Sequence, residues 1–210
     1  MSNCFKNIGS SNLADIKNCV EDPIICRNVE HMYTDKIKKC ITTYSNNLFY
    51  VKLSIDRDSF NKIRYEYYMY SKINKTKYKK YFEKIPYFFE DSTGVALVFQ
   101  SDINSIPIMR CSKDMITQEI YDEIVRRLQE LYDNKIYISD MHDANVIYNI
   151  KNKKIYFIDL ENMFIQNGLT DIDNEIYRIK HSYGIEIDID KIKVSHIDYI
   201  NYWKSYKKYD

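Results

Sequence analysis

Glycine is scarce in this chain of 210 residues. There are four, alongside three prolines, one tryptophan and only three alanines (Ala14, Ala96, Ala144). No G-x-G-x-x-G occurs, so any loop that cradles phosphate must do so with side chains hindering backbone approach. The five cysteines (Cys4, Cys19, Cys26, Cys40, Cys111) show no C-x-x-C spacing and no histidine clustering. That argues against a structural zinc and for a reducing compartment. No apolar run reaches the ~18 residues of a membrane span. The N-terminus lacks the apolar segment of a Sec-type signal. With 31 basic and 30 acidic side chains the net charge is +1, which provides no global field for nucleic acid or an anionic membrane. These absences lead to the expectation of a cytoplasmic protein with no membrane span and no nucleic-acid partner. No Ser/His/Asp or Cys/His nucleophile set, internal repeat or low-complexity linker is visible.

What is abundant is tyrosine, 21 residues, in a chain that is 45% hydrophobic. Such a chain can bury a core for one domain or two small lobes, with tyrosine rings filling much of it.

Chemistry concentrates between Ile138 and Glu161. Asp140 and Asn145 are five positions apart, and Asn145 and Asp159 fourteen. The apolar runs Val146-Ile147-Tyr148 and Ile155-Tyr156-Phe157-Ile158 read as strands, and the polar Asn149–Lys154 segment between them reads as a hairpin turn. Such a hairpin brings Asn145 and Asp159 together as oxygen ligands for one metal ion. It leaves Asp140 free to accept a proton.

This pattern resembles the catalytic core of the protein-kinase-like superfamily: aspartate, four residues, asparagine, then a short hairpin ending in a second aspartate. Ile138 stands where many members have histidine. The Asp-x-His-x-x-Asn form with His142, and Ile-Asp-Leu-Glu around Asp159, look more like the aminoglycoside- and choline-kinase branch.

The upstream half follows the same order. Leu48–Ile55 reads as a strand carrying Lys52. Asp56–Ser59 is a polar cap. Phe60, Ile63, Tyr67, Tyr70 and Ile73 then recur at helical spacing, with Glu66 near their face. The resemblance implies a Lys52–Glu66 pair that serves the nucleotide phosphates. Gly94–Gln100 resembles the strand leading into a kinase hinge. Phe99 would back the adenine pocket, the backbone of Gln100 to Asp102 would meet the base, and Ser101–Pro107 would connect the lobes. Asp114–Tyr132 has Ile116, Ile120, Ile124, Leu128 and Leu131 at helical spacing. Further helices are expected over Asp171–Tyr183 and Asp188–Tyr206. The resemblance covers residues 24–164.

Two candidates replace the glycine loop: Ile8–Ala14 and, preferred, Glu30–Lys36. Only 46 residues follow Phe164, and no Ala-Pro-Glu motif occurs among them. Ser139 stands where regulated protein kinases carry arginine. In these respects the chain resembles minimal kinases that some bacteria deliver into host cells as virulence effectors.

The resemblance implies an α+β, two-lobed kinase-like fold. It divides into an N-terminal extension (1–23), a β-rich N-lobe (24–100) and a mainly helical C-lobe (101–210). It implies an ATP-dependent phosphotransferase acting on a protein, with a host protein as one candidate. Asp140 would be the base, Lys52 and Glu66 would serve the phosphates, and Asn145 and Asp159 would hold Mg²⁺ or Mn²⁺. Glu161 would assist the metal through water. A small-molecule kinase and a non-catalytic pseudokinase acting as a binding module remain as alternatives. The Lys75–Lys80 stretch reads as a solvated face, and His31, His181 and His196 are expected at the surface.

Overall fold

The computed structural model describes residues 5–21, 27–28, 38–112, 114–166 and 172–206. The chain divides into two compact units, Met1–Ser71 with Lys84–Ile103 and Lys72–Glu83 with Asn104–Asp210. Helices and antiparallel sheets mix in an α+β architecture.

The first unit contains helix α1 (Leu13–Glu21), strands β1 (Arg27–Asn28), β2 (Lys38–Tyr44) and β3 (Asn47–Ser54), helix α2 (Arg57–Ile73, its last two residues counted in the second unit), β4 (Tyr87–Asp91) and β5 (Gly94–Asp102). The five strands form one antiparallel sheet in the order β1-β2-β3-β5-β4. Successive strand residues point to opposite faces, and here the two faces have different jobs. Phe49, Val51, Leu53, Ala96 and Val98 pack under Phe5, Ile8, Leu13, Ile16, Cys19 and Val20, with Phe89 against them. The other face carries Lys52, Leu97 and Phe99 and meets α2. Tyr70 packs edge-on to Phe99 at 5.3 Å, and Tyr67 stacks on Phe88 at 4.6 Å.

Asp56 starts α2: its carbonyl accepts from Ser59 N at 3.0 Å and its carboxylate from Ser59 Oγ at 3.1 Å, satisfying donors that a helix start leaves open. Lys17 of α1 clamps the β4–β5 turn through the Thr93 carbonyl, 2.9 Å from Nζ. The next residue is glycine because a Cβ on Gly94 would come within 2.9 Å of the Ser54 carbonyl oxygen.

Three readings change in this unit. Ile8–Ala14 is not an open phosphate loop. Ile8–Ser10 is a 3₁₀ turn and α1 begins at Leu13, with Ile8 and Leu13 buried in the core. The N-terminal stretch is thus an integral cover of the sheet and not an appendage. Cys19 is disulfide-bonded, which runs against the expectation of reduced thiols. The preferred loop, Glu30–Lys36, lies outside the described residues, as does His31.

The second unit begins with the end of α2 and a 3₁₀ turn, Lys77–Tyr81, that buries Tyr78 and Tyr81 and exposes Lys77, Lys79 and Lys80. Then come β6 (Ser105–Pro107), α3 (Gln118–Asp133), β7 (Ile136–Ile138), β8 (Val146–Asn149), β9 (Lys154–Phe157), β10 (Met163–Ile165), α4 (Ile172–Tyr183) and α5 (Ile189–Ser205). Strand β7 pairs with β10, and β8 lies between β6 and β9. The segment expected to be a plain connector therefore contributes a strand, with Ile106 opposite Tyr148. Helix α3 buries Tyr121, Ile124, Leu128 and Leu131, an i, i+3, i+7, i+10 stripe. It starts four residues later than expected, at Gln118, with Thr117 as its N-cap. Arg127 on α3 donates to the Ile155 carbonyl at 2.6 Å and lies 4.7 Å from the centroid of Tyr81, whose hydroxyl donates to Glu130 at 2.6 Å.

Glycine scarcity shows in the turns. Among the described residues, six that are not glycine have left-handed backbone: Ser45, Asn46, Lys135, Asp140, Lys153 and Asp159. Asparagine and aspartate tolerate this region better than most residues; lysine does not.

Candidate functional site

In the first unit, strand alternation puts Lys52 on the face covered by α2. Helical spacing turns Glu66 towards it. Lys52 Nζ lies 2.7 Å from Glu66 Oε2, with both side chains buried. A buried ion pair is held at a desolvation cost that only close pairing offsets. Phe99, two positions from the cross-strand partner of Lys52, lies on the same face and is buried. Gln100 points to the opposite face, where its Oε1 accepts from the Tyr87 hydroxyl at 3.4 Å. Asp102 is exposed at the strand end. Only the backbone of these two residues could serve in the role expected of them.

In the second unit, β7 and β10 bracket the polar loop. Ser139 N donates to the Asn162 carbonyl at 3.0 Å. Asn145 organises the loop with its amide and its backbone. Its Nδ2 donates to the Asp140 carbonyl at 2.8 Å, its N to the His142 carbonyl at 2.9 Å, and its carbonyl accepts from Ile158 N at 3.0 Å. That last bond sets Asn145 beside Asp159 in the chain path, as the hairpin reading requires. Asn149 tightens the turn: its Oδ1 accepts from Lys151 N and Asn152 N while Nδ2 reaches Ser105 Oγ at 3.0 Å.

Asp140 and Asp159 both sit in the left-handed region, φ 66° and 63°. Strained backbone persists where the surroundings enforce it and gathers at functional sites. The Asn145 amide nitrogen is taken by the Asp140 carbonyl, so a ligand role for this side chain would fall to its amide oxygen. The Asp159 and Glu161 carboxylates lie within 4.8 Å of each other. This all-oxygen donor set fits Mg²⁺ or Mn²⁺ and not zinc.

His142 lies 3.5 Å from Asp140 Oδ1 through Nε2, and its Nδ1 accepts from Ala144 N at 3.1 Å. The same Nε2 also lies 3.4 Å from Asn145 Nδ2, so the ring edge sits between the Asp140 carboxylate and the Asn145 amide. On α5, the Tyr199 hydroxyl donates to the same Oδ1 at 3.2 Å. Burial first, then the Asp140 charge and this hydrogen bond, raise the Tyr199 phenol above its usual value.

His196 is fully buried, contrary to its expected surface position. Its Nδ1 accepts from Ile138 N at 2.9 Å, so Nε2 carries the proton and donates to the Leu128 carbonyl at 2.9 Å. Burial lowers its pKa to about 4, opposed by the Leu128 bond. Trp203 Nε1 donates to the Met141 carbonyl at 2.8 Å. His196, Tyr199 and Trp203 thus share one stripe of α5, touching Ile138, Asp140 and Met141 in turn. Sequence reasoning missed all three. The signal was present: Ile192, His196, Ile200 and Trp203 are buried at helical spacing.

Comparison with known proteins adds a partial, distant likeness to a kinase. No protein-family model matches. Over 88 residues the chain is 27% identical to the RIO-type serine/threonine-protein kinase Rio1 of Thermoplasma acidophilum, a stretch covering 37% of this chain and 44% of that protein. The chain therefore spans less than half the length of the relative it matches. The likeness reaches the superfamily and no finer level.

Proposed function

We propose that this chain is an ATP-dependent phosphotransferase acting on a hydroxyl of a partner protein. The observation that carries the reading is the pair of bonds through Asn145, whose Nδ2 donates to the Asp140 carbonyl and whose own carbonyl accepts from Ile158 N, next to Asp159 in the chain. The distant likeness to a serine/threonine kinase supports it.

In the second unit, Asp140 is the general base. The acceptor O–H proton passes to its carboxylate as the oxygen bonds the terminal phosphorus. The bond from that phosphorus to the bridging oxygen breaks, and the diphosphate leaves. Asn145 and Asp159 hold the divalent cation, with Glu161 in support. When bound, that cation neutralises charge on the phosphates. In the first unit, Lys52 binds phosphate oxygens and Glu66 orients it, while Phe99 and the backbone of Gln100 to Asp102 receive the adenine. Choosing a protein over a small-molecule acceptor rests on the kinase likeness alone.

Incubation with radiolabelled ATP, Mg²⁺ and a cell lysate tests the reading. A labelled protein band that Asp140→Asn abolishes is the expected result. A labelled small molecule would move the acceptor class to the aminoglycoside- and choline-kinase type. No transfer, with ATP binding retained, would make the chain a binding module, the reading that the missing glycine loop favours.

A further inference from the structure

Asp140 Oδ1 faces two hydrogen-bonding groups. Tyr199 OH lies 3.2 Å away and His142 Nε2 3.5 Å. A third contact holds the Asp140 main chain, through the Asn145 amide. The loop is also tied to α5 on both sides of Asp140, by His196 at Ile138 and Trp203 at Met141. Tyr199 lies between those anchors on the same helical stripe. Its ring is further held near Tyr202, 6.3 Å between centroids. Its hydroxyl is thus delivered by a helix fixed at both flanks, and a carboxylate held this way has one oxygen engaged by the protein and one left for chemistry.

We propose that Tyr199 is a positioning residue for Asp140: its hydroxyl engages Oδ1, fixes the carboxylate rotamer, and thereby makes Oδ2 the oxygen that receives the acceptor's proton. The proposal rests on the phosphotransferase reading and adds to it a residue 59 positions downstream of the base. Asp140 is about half exposed and its backbone is left-handed, so neither packing nor an ordinary backbone selects its rotamer. The raised Tyr199 phenol is consistent with a hydroxyl that keeps its proton beside a carboxylate. The charged and titratable groups around the pair are His142 and Asp143 from the loop, with His142 Nδ1 3.9 Å from Asp143, and Tyr202 from α5.

Hydrolysis of Mg²⁺–ATP, with water as the acceptor, provides the assay. Tyr199→Phe keeps the ring and removes only the hydroxyl. It should lower kcat by about 10- to 100-fold, as expected when a reacting group loses its alignment, with KM for ATP within about twofold. As an independent readout, isotope-labelled tyrosine NMR should show the Tyr199 phenol titrating at lower pH in Asp140→Asn, which keeps the side-chain shape and tolerates the left-handed backbone. A purely structural Tyr199 would lower melting temperature and raise KM along with any fall in kcat; that pattern overturns the proposal. So does an unmoved phenol titration, a Tyr199→Phe enzyme with full kcat, or phosphate recovered on Tyr199 itself, which would make it an acceptor. Failure of the wild-type protein to hydrolyse or transfer phosphate sinks the underlying reading. A silent Tyr199→Phe in an active protein sinks this proposal only.

Discussion

Lys52 and Glu66 form a buried ion pair, 2.7 Å between Nζ and Oε2, that joins the central strand of the first unit to α2. The strand presents the lysine because Val51 and Leu53 are claimed by the opposite face, under α1. The helix presents the glutamate because Ile63, Tyr70 and Ile73 are buried along the same side. The pair is thus a consequence of two periodicities, two in the strand and 3.6 in the helix.

Breaking it from one side should be costly. Lys52→Met leaves a buried carboxylate without this cation, and such losses run to about 3–5 kcal/mol. Replacing both residues, Lys52→Met with Glu66→Leu, should recover much of that stability while ATP binding stays lost. Urea denaturation of the four proteins in the cycle measures the coupling. A double-variant loss equal to the sum of the two single losses would show that the pair adds nothing beyond packing.

Turn residues give a prediction of opposite sign. Lys135 follows α3 with φ 60°, the position where helices commonly place glycine. Its side chain is exposed, and its carbonyl bond from Gln166 N is retained by any residue. Lys135→Gly should therefore raise stability by about 0.5–1 kcal/mol, since L side chains pay about that much or more for a left-handed backbone. Glycine at exposed Lys62, within α2, should instead cost about 1 kcal/mol. Thermal unfolding of the two variants compares the signs directly.

His196 predicts a pH dependence. Its pKa is near 4 in the folded protein against 6.5 ordinarily, so below pH 6.5 the unfolded chain binds a proton that the folded one refuses. Its contribution is fully present above pH 6.5 and is lost progressively as pH falls towards 4, about 3 kcal/mol in all. Chemical denaturation between pH 7 and pH 4 should show the slope, and His196→Gln should flatten it. The same variant should also loosen β7, because Ile138 N and the Leu128 carbonyl lose a partner held at 2.9 Å on each side.

The legible parts of this chain are those where spacing and polarity coincide. Asp140, Asn145 and Asp159 stand out because each polar group adjoins an apolar run, and the hairpin between them needs only a turn. The face of α2 is legible for the same reason. What escaped was non-local or short. Ser105–Pro107 is a three-residue strand that exists only because β8 pairs with it. The role of α1 as a sheet cover depends on Val51 and Val98, far away in sequence. A histidine carries no burial signal of its own, so His196 was legible only through the isoleucines and tryptophan around it. The Tyr199–Asp140 contact spans 59 positions without any motif. Lys52 and Glu66 show the converse case, in which two local patterns and one resemblance imply a pair that the fold makes. Its catalytic role remains the proposal argued above.

The cation site yields the last prediction. A ligand role for Asn145 would fall to its amide oxygen because its nitrogen is bound to the Asp140 carbonyl at 2.8 Å, and Asp159 offers a carboxylate from a left-handed residue at the end of the hairpin. Hard oxygen donors favour Mg²⁺ or Mn²⁺. ATP should therefore raise the melting temperature with Mg²⁺ present and much less with EDTA, since a ligand bound only to the folded state stabilises it by mass action. Asp159→Asn keeps a side chain that tolerates φ 63° and removes the charge. It should cut the Mg²⁺-dependent part of the shift. Asn145→Ala should cut it too and lower the unliganded melting temperature, because it removes the ligand and also the amide that holds the Asp140 loop. An ATP shift of equal size with EDTA and with Mg²⁺, or one that survives Asp159→Asn intact, would remove the metal from this site and with it the assignment of Asn145 and Asp159.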